Sequence, residues 1–153
     1  MTPYDRAQRF VGEIRELPGA AHHPLIQWWH LLCALGSNQP DETPWCSSFV
    51  NGICWDLELP RTKSAAARSW LTIGESVQLH AAAPGYDVVI LQRGDGQQPG
   101  AHVIAAPGHV GFYAGQTPTE VFVLGGNQGN AVTVQGFPRS RVLGVRRLRQ
   151  AGA

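Results

Sequence analysis

Residues 108–128 read GHVGFYAGQTPTEVFVLGGNQ. Two runs rich in β-branched and aromatic residues, His109–Ala114 and Glu120–Leu124, are separated by Gly115 and Thr117-Pro118 and closed by Gly125-Gly126-Asn127. That is the pattern of consecutive strands joined by a short turn. Asp87–Gln92, Ala131–Val134 and Val142–Leu148 have the same character, so the back half predicts about five strands. The front half has helical spacing instead. Residues 3–16 carry Phe10, Val11 and Ile14 ahead of Pro18-Gly19; Pro24 opens a second helix through Leu35, with Gly36 at its end. A third helix begins at Thr43-Pro44 and a short fourth covers Ser64–Leu71. Helices followed by an antiparallel run of strands define an α+β fold, with N-terminal helices packed on the sheet. Arg93–Pro107 carries neither period and is expected to be a long loop of the kind that walls a cleft.

Composition bounds the function. The 153 residues suit one domain, expected to span 1–153, and no repeat or linker interrupts them. Only 15% are charged, against roughly 25% in an average globular protein, and 18 Gly and 11 Pro mark a turn-rich chain. A net charge of +1 argues against a nucleic-acid partner. The longest apolar-leaning run, Pro24 to Gly36, is broken by Gln27 and His30 and falls short of the ~18 residues that span a bilayer, so no integral membrane protein is expected. The start, MTPYDRAQRF, has no apolar signal segment, and three cysteines are too few for a disulfide scaffold; both fit synthesis in a reducing cytoplasm. Charge is uneven: beyond Val121 there are five arginines and no acid. That end is either a solvated strand or a surface attracted to an anionic polymer.

The chemistry-bearing segment is Thr43-Pro44-Trp45-Cys46. With Thr43 as N-cap and Pro44 at the first helical position, Cys46 falls near the third, where free N–H groups and the helix dipole favour a thiolate. Cys33 and Cys54, inside helical stretches, read as core residues. Of six histidines, His109 is the best candidate base, because it opens a strong strand behind Pro107-Gly108. Asn127, at the end of the next strand, is placed to hold the imidazole Nδ1–H, or else simply to make a Gly-Gly-Asn turn. No HExxH, HxH or CxxC pair is present, so neither a metal nor another cofactor is expected.

Cysteine at a helix start, histidine on a strand and a polar residue on the next strand resemble the order in papain-like cell-wall hydrolases, the NlpC-type peptidases and the CHAP amidohydrolase/peptidase group. More closely, the chain is similar to a family of small phage and prophage lytic proteins. The resemblance rests on Glu16-Leu17-Pro18-Gly19, Pro44-Trp45-Cys46, Ala66-Ala67-Arg68-Ser69-Trp70, Gly108–Tyr113 and Gly125–Gln128, and covers about residues 10–148. Cys46 and His109 are 63 residues apart, and Asn127 follows 18 later. One departure is Pro84-Gly85-Tyr86-Asp87, where relatives have Pro-Gly-Asp directly.

The resemblance implies a papain-like fold and hydrolysis of an amide bond in bacterial peptidoglycan by a Cys46–His109–Asn127 thiol mechanism. Amidase and endopeptidase activities need the same triad and stay open, as does a non-catalytic wall-binding or phage structural module on the same fold. Asp41 and Glu42 are candidates for a substrate ammonium group, or only favourable charges near a helix N-terminus. Trp45 and Trp70 are candidates to wall the cleft, or core residues. Action in the periplasm or cell wall would follow holin-dependent release, virion delivery or injection, the last with a cognate immunity protein as partner.

Overall fold

The structure, a computed structural model, describes residues 1–35 and 39–149. Three α-helices, α1 (Pro3–Gln8), α2 (Pro24–Leu31) and α3 (Cys46–Asp56), precede six strands: β1 (Glu75–Val77), β2 (Asp87–Gln92), β3 (Gly108–Gln116), β4 (Glu120–Gly125), β5 (Thr133–Pro138) and β6 (Val142–Arg147). All neighbours are antiparallel, in the order β1-β6-β2-β3-β4-β5. The fold is thus α+β. The additional strand is β1, a three-residue edge paired with β6; two of its residues are exposed, so it carries no apolar alternation to betray it. No helix among the described residues is long and apolar enough to cross a membrane.

Helix boundaries follow capping chemistry more closely than apolar spacing. Thr2 and Asp5 form a reciprocal capping box around Pro3 at the start of α1. The helix stops at Gln8, well before residue 16, because Gly12 at φ +79° turns the chain and Gly12 N–H donates to Val132 O. Phe10, Val11 and Ile14 still reach the core, from successive turns. Helix α2 ends at Leu31, and Ala34 at φ 60° then reverses the chain; Gly36 lies outside the described residues. The segment expected as a fourth helix forms a 3₁₀ turn at Ala67–Thr72. The strand expected at Ala131–Val134 begins at Thr133, since Ala131 forms a bridge with Arg15 and Val132 pairs with the backbone of residues 12–14.

Strand alternation divides the apolar residues between two faces. Val88, Ile90, Val110, Phe112 and Leu124 join α3 and its aromatic neighbours in the larger core. Val89, Leu91, Tyr113, Val121 and Val123 form a smaller cluster on the other side. Helix α3 is buried from Cys46 to Cys54, and its polar residues have partners. Ser47 Oγ donates to Ser64 O (2.6 Å) and Asn51 accepts from Lys63 N (2.8 Å), tying the 62–64 segment to the helix.

The basic C-terminal end is structural. Arg147 makes a two-pronged ion pair with buried Asp87 on the neighbouring strand (2.7 and 2.8 Å). Arg139, Arg141 and Arg146 donate to backbone carbonyls, and the guanidinium of Arg149 lies over the ring of Tyr86. The strongest use of this device is Arg68. It is fully buried and donates to the carbonyls of Pro99, Gly100, Val103 and Pro107, pinning the long 93–107 loop against the 3₁₀ turn. Replacing Arg68 with Ala strands these carbonyls, so a loss of about 3 kcal/mol in denaturant melts is expected, with faster proteolysis inside residues 93–107. A loss below about 1 kcal/mol would contradict this role.

Candidate active site

Cys46 is the first residue of α3, not the third. Trp45 occupies the cap position at φ −126°, and Thr43 Oγ1 donates to Gln39 Oε1 instead of capping the helix. The chemical consequence survives the shift, because an N–H in the first helical turn lacks an intrahelical acceptor and points out at the helix end. Ser47, the next residue, is anchored on both sides: it donates to Ser64 O and accepts from Trp70 Nε1 (2.9 Å). The turn that bears Cys46 is therefore tied down on both sides.

His109 follows Gly108 at the start of β3 and is 7% exposed. The thiol and imidazole perturb one another. Burial by itself raises the Cys46 thiol, but hydrogen bonding and charge from His109, the Val110 backbone and the charge of Arg93 outweigh it and hold the thiol below its ordinary value. Burial by itself lowers His109, yet hydrogen bonding and charge from Cys46, reinforced by Gln128, raise it. Opposite shifts in two touching groups favour a thiolate–imidazolium pair. The other cysteines behave differently: burial raises Cys33, and pushes Cys54 up to about 12.

The third member is Gln128, not Asn127. Gln128 Oε1 lies 2.9 Å from His109 Nε2. Its Nε2 donates to Val123 O (3.1 Å), Thr133 O (2.9 Å) and Thr133 Oγ1 (3.2 Å). A carbonyl oxygen only accepts, so these partners fix which end of the amide faces the histidine. His109 Nε2 therefore carries a proton, and Nδ1 is the nitrogen left for Cys46. Sequence reasoning placed the polar partner on Nδ1 and one residue too early. Asn127 occupies the left-handed region at φ 58°, a conformation asparagine tolerates, and forms the turn that swings Gln128 back under the strand ends. The Gly-Gly pair has a steric purpose as well. A Cβ at Gly125 would meet Gln128 Oε1 at 2.5 Å, and one at Gly126 would meet the Trp45 ring at 2.6 Å. The signal available in advance was the turn chemistry of Gly-Gly-Asn, which assigns Asn127 to the bend and leaves Gln128 as the next polar side chain.

Two grooves flank the pair. One, about 350 Å³, is lined by Gln92, Arg93, His109, Asn127, Gln128, Phe137 and Arg141 among others. The second, about 290 Å³, runs along Pro44, Cys46, Ala65–Ala67, Arg93, Pro107 and Gly108. The 93–107 loop, through Arg93, Ala106 and Pro107, does wall the cleft.

Four further candidates lie elsewhere. Trp45 and Trp70 are fully buried: Trp45 stacks on Trp29 (6.1 Å) and donates to Glu16 (3.2 Å), while Trp70 braces Ser47. Neither lines the grooves. Asp41 is also fully buried, accepting from Leu17 N and His23 N (both 2.8 Å), so it clamps two loops together and offers no free carboxylate to substrate. Burial raises its pKa, but these hydrogen bonds and His22 hold it below the ordinary value. Glu42 is exposed beside His22 at 3.7 Å and lines neither groove. His22, Asp41 and Glu42 bring three donor atoms within 4.8 Å of one another, a grouping compatible with a cation, and none of the three lines a groove.

The site makes a clear demand on reactivity. Because the thiol is held low, alkylation of Cys46 by iodoacetamide is expected to fall off at a lower pH than that of an ordinary thiol of pKa about 8.5. Gln128→Ala should move that titration upward and slow alkylation at pH 6 about tenfold, whereas Asn127→Ala should leave it within about twofold. Equal effects of the two substitutions would contradict the assignment.

Against known proteins, no protein-family model matches the chain and no curated protein matches it. Among solved structures, NlpC1 from Trichomonas vaginalis is similar at 18% identity over 89% of this chain and 48% of that one, with a TM-score of 0.46. The chain thus spans about half the length of that structure.

Proposed function

We propose that this protein is a cysteine hydrolase that cleaves an amide bond in the peptide portion of bacterial peptidoglycan. The observation that carries the reading is the Cys46–His109–Gln128 constellation, with His109 and Gln128 lining one groove and Cys46 the other. The motifs that resemble small lytic proteins support the choice of substrate: Arg68, Trp70, Gly108, Gly125 and Gly126 all support this site.

The chemistry follows from the protonation states. The Cys46 thiolate attacks the scissile carbonyl, and the oxyanion that forms is met by N–H groups in the first turn of α3, Cys46's own being the nearest. His109 Nδ1–H protonates the departing amine, the C–N bond breaks, and a thioester on Cys46 remains. Neutral His109 then takes a proton from water, which attacks the thioester; release of the acid restores thiolate and imidazolium. A neutral glutamine suffices as the orienting group, because the thiolate already balances the imidazolium charge. An aspartate in its place would be needed only for a neutral nucleophile. On this reading the site of action is the periplasm or cell wall.

Purified sacculi digested with the wild-type chain should release soluble fragments, with Cys46→Ala reduced at least about 10³-fold. Mass spectrometry of the products separates the two activities, since only an amidase leaves glycan strands free of peptide. No release by the wild-type chain would overturn the hydrolase reading in favour of a non-catalytic wall-binding module, and equal release by wild type and Cys46→Ala would overturn Cys46 as the nucleophile.

A further inference from the structure

Among the described residues, Arg93 is the one that lines both grooves, the His109 side and the Cys46 side. It leaves the sheet directly after β2, is exposed, and has none of the ion pairs formed among the described residues. Its charge reaches both Cys46 and His109. This sets it apart from Arg68, Arg139, Arg141, Arg146 and Arg147, whose guanidinium groups are committed to carbonyls or to Asp87.

Arg93 is also held in place. Arg141 Nη1 donates to Gln92 O (3.0 Å) and Nη2 to Gly94 O (2.7 Å), gripping the chain on both sides of Arg93. Arg141 itself lines the His109-side groove. No Asp or Glu lines either groove; the polar side chains there are amides, an imidazole, the Cys46 thiol and the two arginines. With the Cys46 thiolate balanced by the His109 imidazolium, a cleft with a further positioned cation and no carboxylate of its own is complementary to an anionic ligand.

We propose that Arg93, aimed by Arg141, binds a free carboxylate of the substrate adjacent to the scissile amide and thereby sets specificity for carboxylate-bearing over amidated peptide stems. This inference rests on the hydrolase reading and deepens it. A planar guanidinium presents paired N–H donors matched to the two carboxylate oxygens, and loss of that pairing leaves the charge unmatched in the cleft. The bond is formed outside the reacting atoms, so Arg93 is a specificity-determining residue, while Cys46 and His109 conduct the chemistry.

The test compares two preparations of soluble muropeptides with acetylated amines, one with free stem carboxylates and one with those carboxylates converted to carboxamides. Wild type should favour the free-carboxylate preparation by about 100-fold in kcat/KM. Arg93→Gln should bring that ratio to within about threefold of unity, and Arg93→Lys should retain part of it. An unchanged ratio in Arg93→Gln overturns the proposal while leaving the hydrolase intact. If wild type cleaves neither preparation, the hydrolase reading fails, and a second readout decides the binding claim. Free-carboxylate muropeptides should then protect Cys46 from iodoacetamide in the wild type and not in Arg93→Gln, compared at the pH of equal thiolate fraction. Equal protection in both proteins overturns the proposal.

Discussion

The hydrogen bond from His109 Nε2–H to Gln128 Oε1 is the contact on which the rest of the site depends. It decides which imidazole nitrogen carries the proton, and therefore which one is free to meet the thiol. Its direction is set by the carbonyls of Val123 and Thr133, which take the Gln128 amide protons. Those carbonyls belong to β4 and β5, so the sheet itself dictates the histidine tautomer. Buried polar networks of this kind are stable only when every member is satisfied. Here the network closes, and the glycine at 125 leaves the room it needs.

A second constraint is the way arginine replaces ordinary loop packing. A chain with 15% charged residues has few ion pairs to spare, and it places guanidinium groups where backbone carbonyls converge. Arg68 does this for the 93–107 loop, and Arg141 for the turn that carries Arg93. Both grooves owe a wall to one of these contacts. The arrangement explains how a long, irregular loop with few hydrogen bonds of its own can still present a defined cleft.

Much of this was legible beforehand. Period-two apolar runs located four of the strands closely because their inward residues enter one of the two cores, and the α+β order followed from them. Cys46 and His109 were legible because each stands directly at the start of an element. Errors arose where local chemistry overrode spacing: Gly12 ended α1 early, the cap fell on Trp45, and Asn127 took a left-handed turn that passed its expected role to Gln128. For Trp45 and Trp70 the core alternative holds, and Asp41 is likewise turned away from the grooves. Their side chains are consumed by tertiary hydrogen bonds and stacking with Leu17, His23, Glu16, Trp29 and Ser47, contacts distant in sequence. Arg93 carried no motif at all; only its place in the linings of both grooves marks it.

Covalent catalysis by Cys46 is the centre of this account, and the intermediate can be weighed. Intact-protein mass spectrometry after rapid acid quenching of a reaction with muropeptides should show a peptide acyl group added to the chain by a thioester, mapped to Cys46 by digestion and lost on hydroxylamine treatment. Release of cleaved product with no adduct at any quench time, and with Cys46 still open to alkylation throughout turnover, would contradict it.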